Sequence, residues 1–230
     1  MEPDNHATHT DLSMASWIKA LRRSKVVAVA TVEQPDAAEH LATALLEGGV
    51  DLLELTLRTP AALDCIGRIR SACPDMCVGA GTVLNPDQVR QIGDVGAQFG
   101  VAPGLNPRVV EAARDAGLPF APGVFTPSDI EQALELGCPV LKFFPAATQA
   151  TTVHFRTTVA PYLHRGVLFI PLGGLTAENA PAFLKESGVI ALGGSWITST
   201  ERIRNGDWKA IRDAARAVRH QIEHLSDRIP

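Results

Sequence analysis

The sequence predicts an α/β fold, a (β/α)8 TIM barrel in a single domain with an extra helix at its N-terminus. Three observations carry this expectation. Eight short apolar runs recur roughly every 20–25 residues, the spacing of a repeated strand-plus-helix unit. The segments between them have helical periodicity, and several open on proline and close on glycine, as in Glu47-Gly48-Gly49, Ala116-Gly117 and Leu136-Gly137. The first strand-to-helix turn lacks GxGxxG and the near-constant spacing shows no switch point, which argues against a doubly wound open sheet. With 230 residues, 46% of them hydrophobic, the chain can bury one core of that size.

The elements follow in order. Residues 1–10 are polar and acidic, without the apolar stretch of a signal peptide. Residues 1–12 are therefore expected to form a disordered extension and 13–230 the barrel domain. A short amphipathic helix fits 13–23. Strands are expected at 26–32, 51–57, 76–83, 98–103, 119–124, 140–144, 167–173 and 189–196. Helices are expected at 36–47, 60–72, 86–95, 107–116, 127–136, 152–163 and 177–186, with a last one at 207–225.

Composition excludes several classes of function. The net charge of −4, without a long basic run, argues against nucleic acid as a partner. No apolar run reaches the ~18 residues of a membrane span. Cys65, Cys73, Cys77 and Cys138 show neither CxxC nor zinc-finger spacing and read as reduced thiols of a cytoplasmic protein. His220-Gln221-Ile222-Glu223-His224 matches H-x-x-E-H, but lies in a final helix rich in Arg and Asp. It reads as a solvated face, and no metal or cofactor is expected. His154 and His164 have no spacing partner and read as surface or loop residues.

One stretch organises the chemistry: Pro139-Val140-Leu141-Lys142-Phe143-Phe144-Pro145-Ala146, a proline-bounded apolar strand with Lys142 inside it. Only five lysines occur, and the other four stand in polar or segment-end contexts. A buried lysine must lose water, find a partner or give up its proton. It can snorkel its ammonium to solvent, or act as an amine nucleophile that forms a Schiff base. On the second strand, Glu54, Thr56 and Arg58 share one face by the period of two. They read as a structural rim pair, or as a proton-transfer carboxylate beside a guanidinium able to hold a substrate carboxylate. Gly79-Ala80-Gly81-Thr82 ends the third strand with close backbone approach and a hydroxyl. The last two strands end alike, in Leu172-Gly173-Gly174 and Leu192-Gly193-Gly194-Ser195. Glycine-rich turns after strands seven and eight of such a barrel bind phosphate through backbone N–H groups.

The ordered set Glu54-Leu-Thr-Leu-Arg58, Gly79-Ala-Gly-Thr82, Pro103-Gly104, Lys142-Phe-Phe-Pro145 and Gly193-Gly-Ser-Trp196 resembles the 2-keto-3-deoxy-6-phosphogluconate (KDPG) aldolase family, which includes the 4-hydroxy-2-oxoglutarate aldolases. The similarity runs from about residue 26 to residue 215. It implies a class I, metal-independent lyase, a homotrimer, that cleaves KDPG to pyruvate and glyceraldehyde 3-phosphate. By this resemblance Lys142 is the Schiff-base lysine and Glu54 the general acid/base. Arg58 and Thr82 hold the pyruvyl carboxylate, Pro103 and Phe144 line the pocket, and Gly173, Gly174, Gly193, Gly194 and Ser195 hold phosphate. Two positions depart from the family pattern: Leu172, where threonine is frequent, and Ala147, where glutamate is frequent. They bear on which sugar acid is preferred. The galactonate-derived epimer, a shorter 4-hydroxy-2-oxo acid, a sugar-phosphate isomerase and a non-catalytic phosphate-binding barrel are the alternatives.

Overall fold

The computed structural model describes residues 9–147 and 152–226. In chain order the elements are α1 (His9–Ser24), β1 (Val26–Ala30), α2 (Ala37–Glu47), β2 (Leu52–Thr56), α3 (Ala62–Ala72), β3 (Cys77–Gly81), α4 (Pro86–Asp94), β4 (Gly100–Val101), α5 (Pro107–Asp115), β5 (Phe120–Ala121), β6 (Gly123–Val124), α6 (Pro127–Glu135), β7 (Val140–Phe143), α7 (Thr152–Val159), β8 (Leu168–Pro171), α8 (Ala180–Leu184), β9 (Leu192–Gly194), α9 (Thr200–Arg204) and α10 (Trp208–Ser226). The fold is α/β, and every strand pair in it is parallel. One sheet has six strands in the order β5-β4-β3-β2-β1-β9, and a second has three, β6-β7-β8. Single bridges, Phe169 to Val189 and Leu172 to Gly193, link β8 to the chain entering β9.

The structure differs from the sequence expectations at definite places. The fifth expected strand is split at Pro122, whose nitrogen carries no N–H for the ladder, so β5 and β6 belong to different sheets. Helix α1 starts at His9, ahead of residue 13; the expected disorder of residues 1–8 lies outside the described residues. The helix expected over 152–163 tightens at Ala160–Arg165 into a 3-10 turn that contains Pro161, and ends on Gly166 at φ 73°. Only Ala180–Leu184 of the expected 177–186 is helical. Helix α9 has no counterpart among the expected elements. Its five residues are too few to show a period, although Ser199 caps it by accepting from the Arg202 N–H.

Period-two alternation sorts the strand residues between two apolar clusters. Leu53, Leu55, Val78, Ala80, Leu141, Phe143 and Phe169 pack with the helices, whose Leu41, Leu45, Ile66 and Ile69 belong to the same cluster. Val27, Leu52, Val101, Val140 and Ile170 face the other way, into a cluster that also holds Trp17, Leu21 and Phe99. Helix α1 therefore covers the inner face of the strands at one end. Lys142 and Glu54 alternate with the outward residues, so both point inward.

The helix starts are built locally. Asn85, Asn106 and Thr126 cap α4, α5 and α6 ahead of a first-turn proline. At α6 the box is reciprocal: Thr126 accepts from the Asp129 N–H, and Asp129 accepts from the Phe125 and Thr126 amides. Partial burial raises the Asp129 carboxyl, but those amide bonds and the Thr126 side chain outweigh it and hold the group below its ordinary value. A lowered carboxyl contributes stability above its unfolded value, and that stability is lost as pH falls through the folded one. Asp129→Ala should thus cost about 1 kcal/mol at neutral pH. Denaturant melts of both proteins should show this gap closing in acid.

Candidate active site

Lys142 and Glu54 form the centre. Lys142 lies in β7 between Leu141 and Phe143, and its register partners are Gly123 on β6 and Ile170 on β8. Glu54 lies in β2, paired with Val29 and Gly79. The ammonium of Lys142 donates to Glu54 Oε1 at 3.0 Å, and the two residues are only 4% and 2% exposed. This burial excludes the snorkelling alternative for Lys142. A desolvated ion pair is a poor source of stability compared with apolar packing, so the retention of both charges calls for a chemical reason.

The backbone around the pair is cut to fit it. A Cβ at Gly81 would stand 2.0 Å from Glu54 Oε1, so the glycine makes the space the carboxylate occupies. A Cβ at Gly123 would stand 2.2 Å from the Pro103 carbonyl group. Glycine there lets the backbone after the fourth strand close against Gly123, the register partner of Lys142. The Phe144 ring centroid is 5.4 Å from Lys142 Nζ, within cation–π range.

Arg58 requires a correction. It does not continue the inward row of β2, because the strand ends at Thr56 and Arg58 is exposed beyond it. Thr56 shares a 2.8 Å hydroxyl contact with Thr31, while Arg58 Nε donates to Thr82 Oγ1 at 3.4 Å. Thr82 itself sits at φ 62°, a left-handed conformation unusual for a β-branched residue. Arg58 and Thr82 thus meet each other just beyond the ends of β2 and β3. The partner of Lys142 is Glu54.

Gly173 and Gly174 follow β8 at φ 97° and 75°, and Gly193 and Gly194 form the end of β9, with Ser195 exposed after them. Leu172 is 8% exposed and its side chain fills the place a Cβ at Gly193 would take. The Ala147 amide donates to the Gly173 carbonyl at 2.9 Å. Both departures from the family pattern therefore touch these turns.

Other candidates fall away. All four cysteines are free, and burial pushes the thiols of Cys65, Cys77 and Cys138 up to about 11, too high for a thiolate nucleophile near neutrality. His220 and His224 stand with their Nε2 atoms 3.0 Å apart, but no group of three or more possible metal ligands occurs among the described residues. They line a cleft of about 780 Å³ beside Trp196 and α10, and neither Lys142 nor Glu54 lines it. His154 is not a loop histidine: it lies in α7, its ring tilted against Phe125 with centroids 4.9 Å apart and 6.0 Å from the Phe143 ring. His164 is exposed, as expected. No described helix is long and apolar enough to cross a membrane.

One residue escaped the sequence reading altogether. Trp17 of α1 lines a cavity together with Glu54 and Lys142. It lies outside the strand–helix repeat, and only the packing of α1 under the strands brings it there.

With this geometry established, the comparisons with known proteins are specific. The model of the aldolase family described as KDPG and KHG aldolase matches residues 18–214. The chain is 40% identical over 198 residues to the 2-dehydro-3-deoxy-phosphogluconate aldolase of Treponema pallidum, covering 86% of this chain and 93% of that one. Its structure matches the KDPG aldolase of Legionella pneumophila, solved with pyruvate captured as a covalent carbinolamine intermediate, with a TM-score of 0.83 and 31% identity over 92% of this chain and 98% of that one. It also matches the 2-keto-3-deoxy-6-phosphogluconate aldolase of Zymomonas mobilis with 3-phosphoglycerate, with a TM-score of 0.82 and 33% identity over 89% of this chain and 95% of that one. A buried lysine–carboxylate pair on parallel strands and a family match over most of the length agree: the chain belongs to the KDPG and KHG aldolase family.

Proposed function

We propose that the protein is a class I aldolase that cleaves 2-keto-3-deoxy-6-phosphogluconate to pyruvate and glyceraldehyde 3-phosphate. The observation that carries this is the buried 3.0 Å contact between Lys142 Nζ and Glu54 Oε1. Glu54 takes a proton from the Lys142 ammonium, and the neutral amine attacks the C2 ketone. The nitrogen's surplus proton passes to the C2 oxygen, giving a carbinolamine. Protonation of its hydroxyl by Glu54 expels water and leaves an iminium. Glu54, left as a carboxylate by that step, then removes the C4 hydroxyl proton through a water. The C3–C4 bond breaks, its electron pair moves into the iminium, and the aldehyde departs. The enamine left on Lys142 is protonated at C3, and water releases pyruvate and the free amine.

In this reading Arg58 and Thr82 hold the substrate carboxylate, and their position past the strand ends supports that role. Phe144 and Pro103 flank the reacting carbon. Gly173, Gly174, Gly193, Gly194 and Ser195 receive the phosphate, supported by the positive φ of Gly173 and Gly174 and the open position of Ser195. Closure of the two sheets into a complete eight-stranded barrel is part of the same proposal, supported by the bridges between β8 and the β9 segment. A homotrimer working in the reducing cytoplasm follows the family resemblance, and the four free cysteines agree with that compartment.

The test is reductive trapping. Protein incubated with pyruvate and sodium borohydride should gain one covalent adduct, mapped by peptide mass spectrometry to Lys142. Folded protein without an adduct would refute the Schiff-base reading and leave a barrel that binds but does not cleave.

A further inference from the structure

Two threonine hydroxyls meet one step beyond Glu54, toward the C-terminal ends of the strands. Thr56 is the next inward residue of β2, buried, and its register partner is Gly81, the residue before Thr82. Thr31 follows the end of β1, and its Oγ1 lies 2.8 Å from Thr56 Oγ1, so it shares that inner side. The backbone around Thr31 is tied from two directions. The Val29 carbonyl accepts from the buried Thr198 hydroxyl at 2.6 Å, and the Val32 carbonyl accepts from the Thr59 hydroxyl at 2.6 Å. Thr198 belongs to the segment after β9, and Thr59 to the segment after β2. A hydroxyl pair uses one of its two protons internally, and neither oxygen has another partner among the described residues. One proton is left to give away, and Thr31, half-buried where Thr56 is buried, is the residue placed to give it.

The strand order fixes what passes over this pair. In the aldolase reading, on which this inference rests, C2 of the substrate sits at the Lys142–Glu54 contact. Its carboxylate lies at Arg58 and Thr82, beyond β2 and β3, and its phosphate at the glycine turns that end β8 and β9. Strand β1 stands between β9 and β2 in the sheet. The carbons between C2 and the phosphate therefore run from Glu54 past the end of β1. We propose that the Thr31 hydroxyl, oriented by Thr56, donates a hydrogen bond to the C5 hydroxyl of the substrate, so that the threonine pair selects 2-keto acids hydroxylated at C5. The C4 hydroxyl is left to Glu54 and its water, while C5, next to the phosphate-bearing carbon, falls on the β1 side. Thr31 is then a specificity-determining contact and Thr56 the positioning residue behind it. Pyruvate has neither C4 nor C5, so the pair governs the choice of sugar acid rather than Schiff-base formation.

The probes are KDPG and its analogue lacking the C5 hydroxyl, which keeps the C4 hydroxyl and the phosphate. The wild type should favour KDPG by about tenfold in kcat/KM, the effect of one neutral hydrogen bond in a site built to make it. Thr31→Val, alike in shape but without the hydroxyl, should bring that ratio close to one, and Thr31→Ser should restore most of it. Thr56→Val should erode the ratio too, because Thr31 loses its orienting partner, and the double valine variant should go no further than Thr31→Val alone. A strand end that was merely loosened would slow both substrates alike and leave the ratio where it was. An unchanged ratio in folded Thr31→Val therefore overturns the proposal. The wild-type comparison needs no variant and stands if Thr31→Val fails to fold: equal kcat/KM on the two probes also overturns it. Pyruvate trapping keeps the two readings apart. A wild type that traps pyruvate on Lys142 but ignores C5 refutes the role of the threonine pair alone. One that traps no pyruvate overturns the aldolase reading, and this inference with it.

Discussion

Lys142→Met is expected to abolish the pyruvate adduct and to lower kcat by a factor of about 10⁴ or more, because no other amine faces Glu54 in the cavity. Methionine keeps the length and apolar character of the lysine stem, so packing against Phe144 is largely preserved. The substitution also has a stability signature. Removing one member of a buried pair leaves an uncompensated charge, at about 3–5 kcal/mol, whereas replacing both members by apolar or neutral groups is often neutral. Lys142→Met should therefore melt well below the wild type, and Lys142→Met with Glu54→Leu should recover much of the loss without recovering activity. Thermal melts and a pyruvate-release assay on the three proteins check both statements. Residual activity above a hundredth of wild type in the single variant would show that Lys142 is not the nucleophile.

Glu54 can be reached by two routes, one chemical and one steric. Glu54→Gln keeps the shape of the side chain but cannot take a proton, and should lower kcat by about 10²–10⁴. Gly81→Ala leaves the carboxylate intact but places a methyl where its oxygen now lies. Glu54 must then swing away from Lys142, and a displacement of about 1 Å in such a site costs about 10² in rate. Slow adduct formation should accompany both losses, since carbinolamine collapse needs the same proton. If Gly81→Ala turned over normally, Glu54 would not be the group that moves protons, whatever its distance from Lys142.

Much of the site was legible because its signals are local. Lys142 stood out as a charged residue inside an apolar, proline-bounded strand, and Glu54 as a charge on the inner face of another. A period of two is enough to decide which way such residues point. Arg58 shows where that logic stops. Extending the same period two residues further placed it inside, but β2 ends at Thr56 and the chain turns, so Arg58 meets Thr82 outside. Strand ends depend on which neighbours remain to pair with, and those neighbours are distant in sequence. His154 failed for a related reason: nothing in its own helix marks it, and the rings beside it come from distant segments, Phe125 from the loop after β6 and Phe143 from β7.

By itself the sequence determined the alternation of strands and helices, the inward face of each strand and the residues able to do chemistry there. These follow from hydrophobic period, turn chemistry and the cost of burying charge, all of which act within a few residues. Tertiary structure decided that Lys142 and Glu54, 88 residues apart, share one hydrogen bond, that Pro122 splits a strand between two sheets, and that α1 carries Trp17 beneath the pair. Those outcomes depend on which strands close against which, and on the side-chain volumes that glycines such as Gly81 and Gly123 leave free. Packing between distant segments fixes such distances, and no local pattern encodes them.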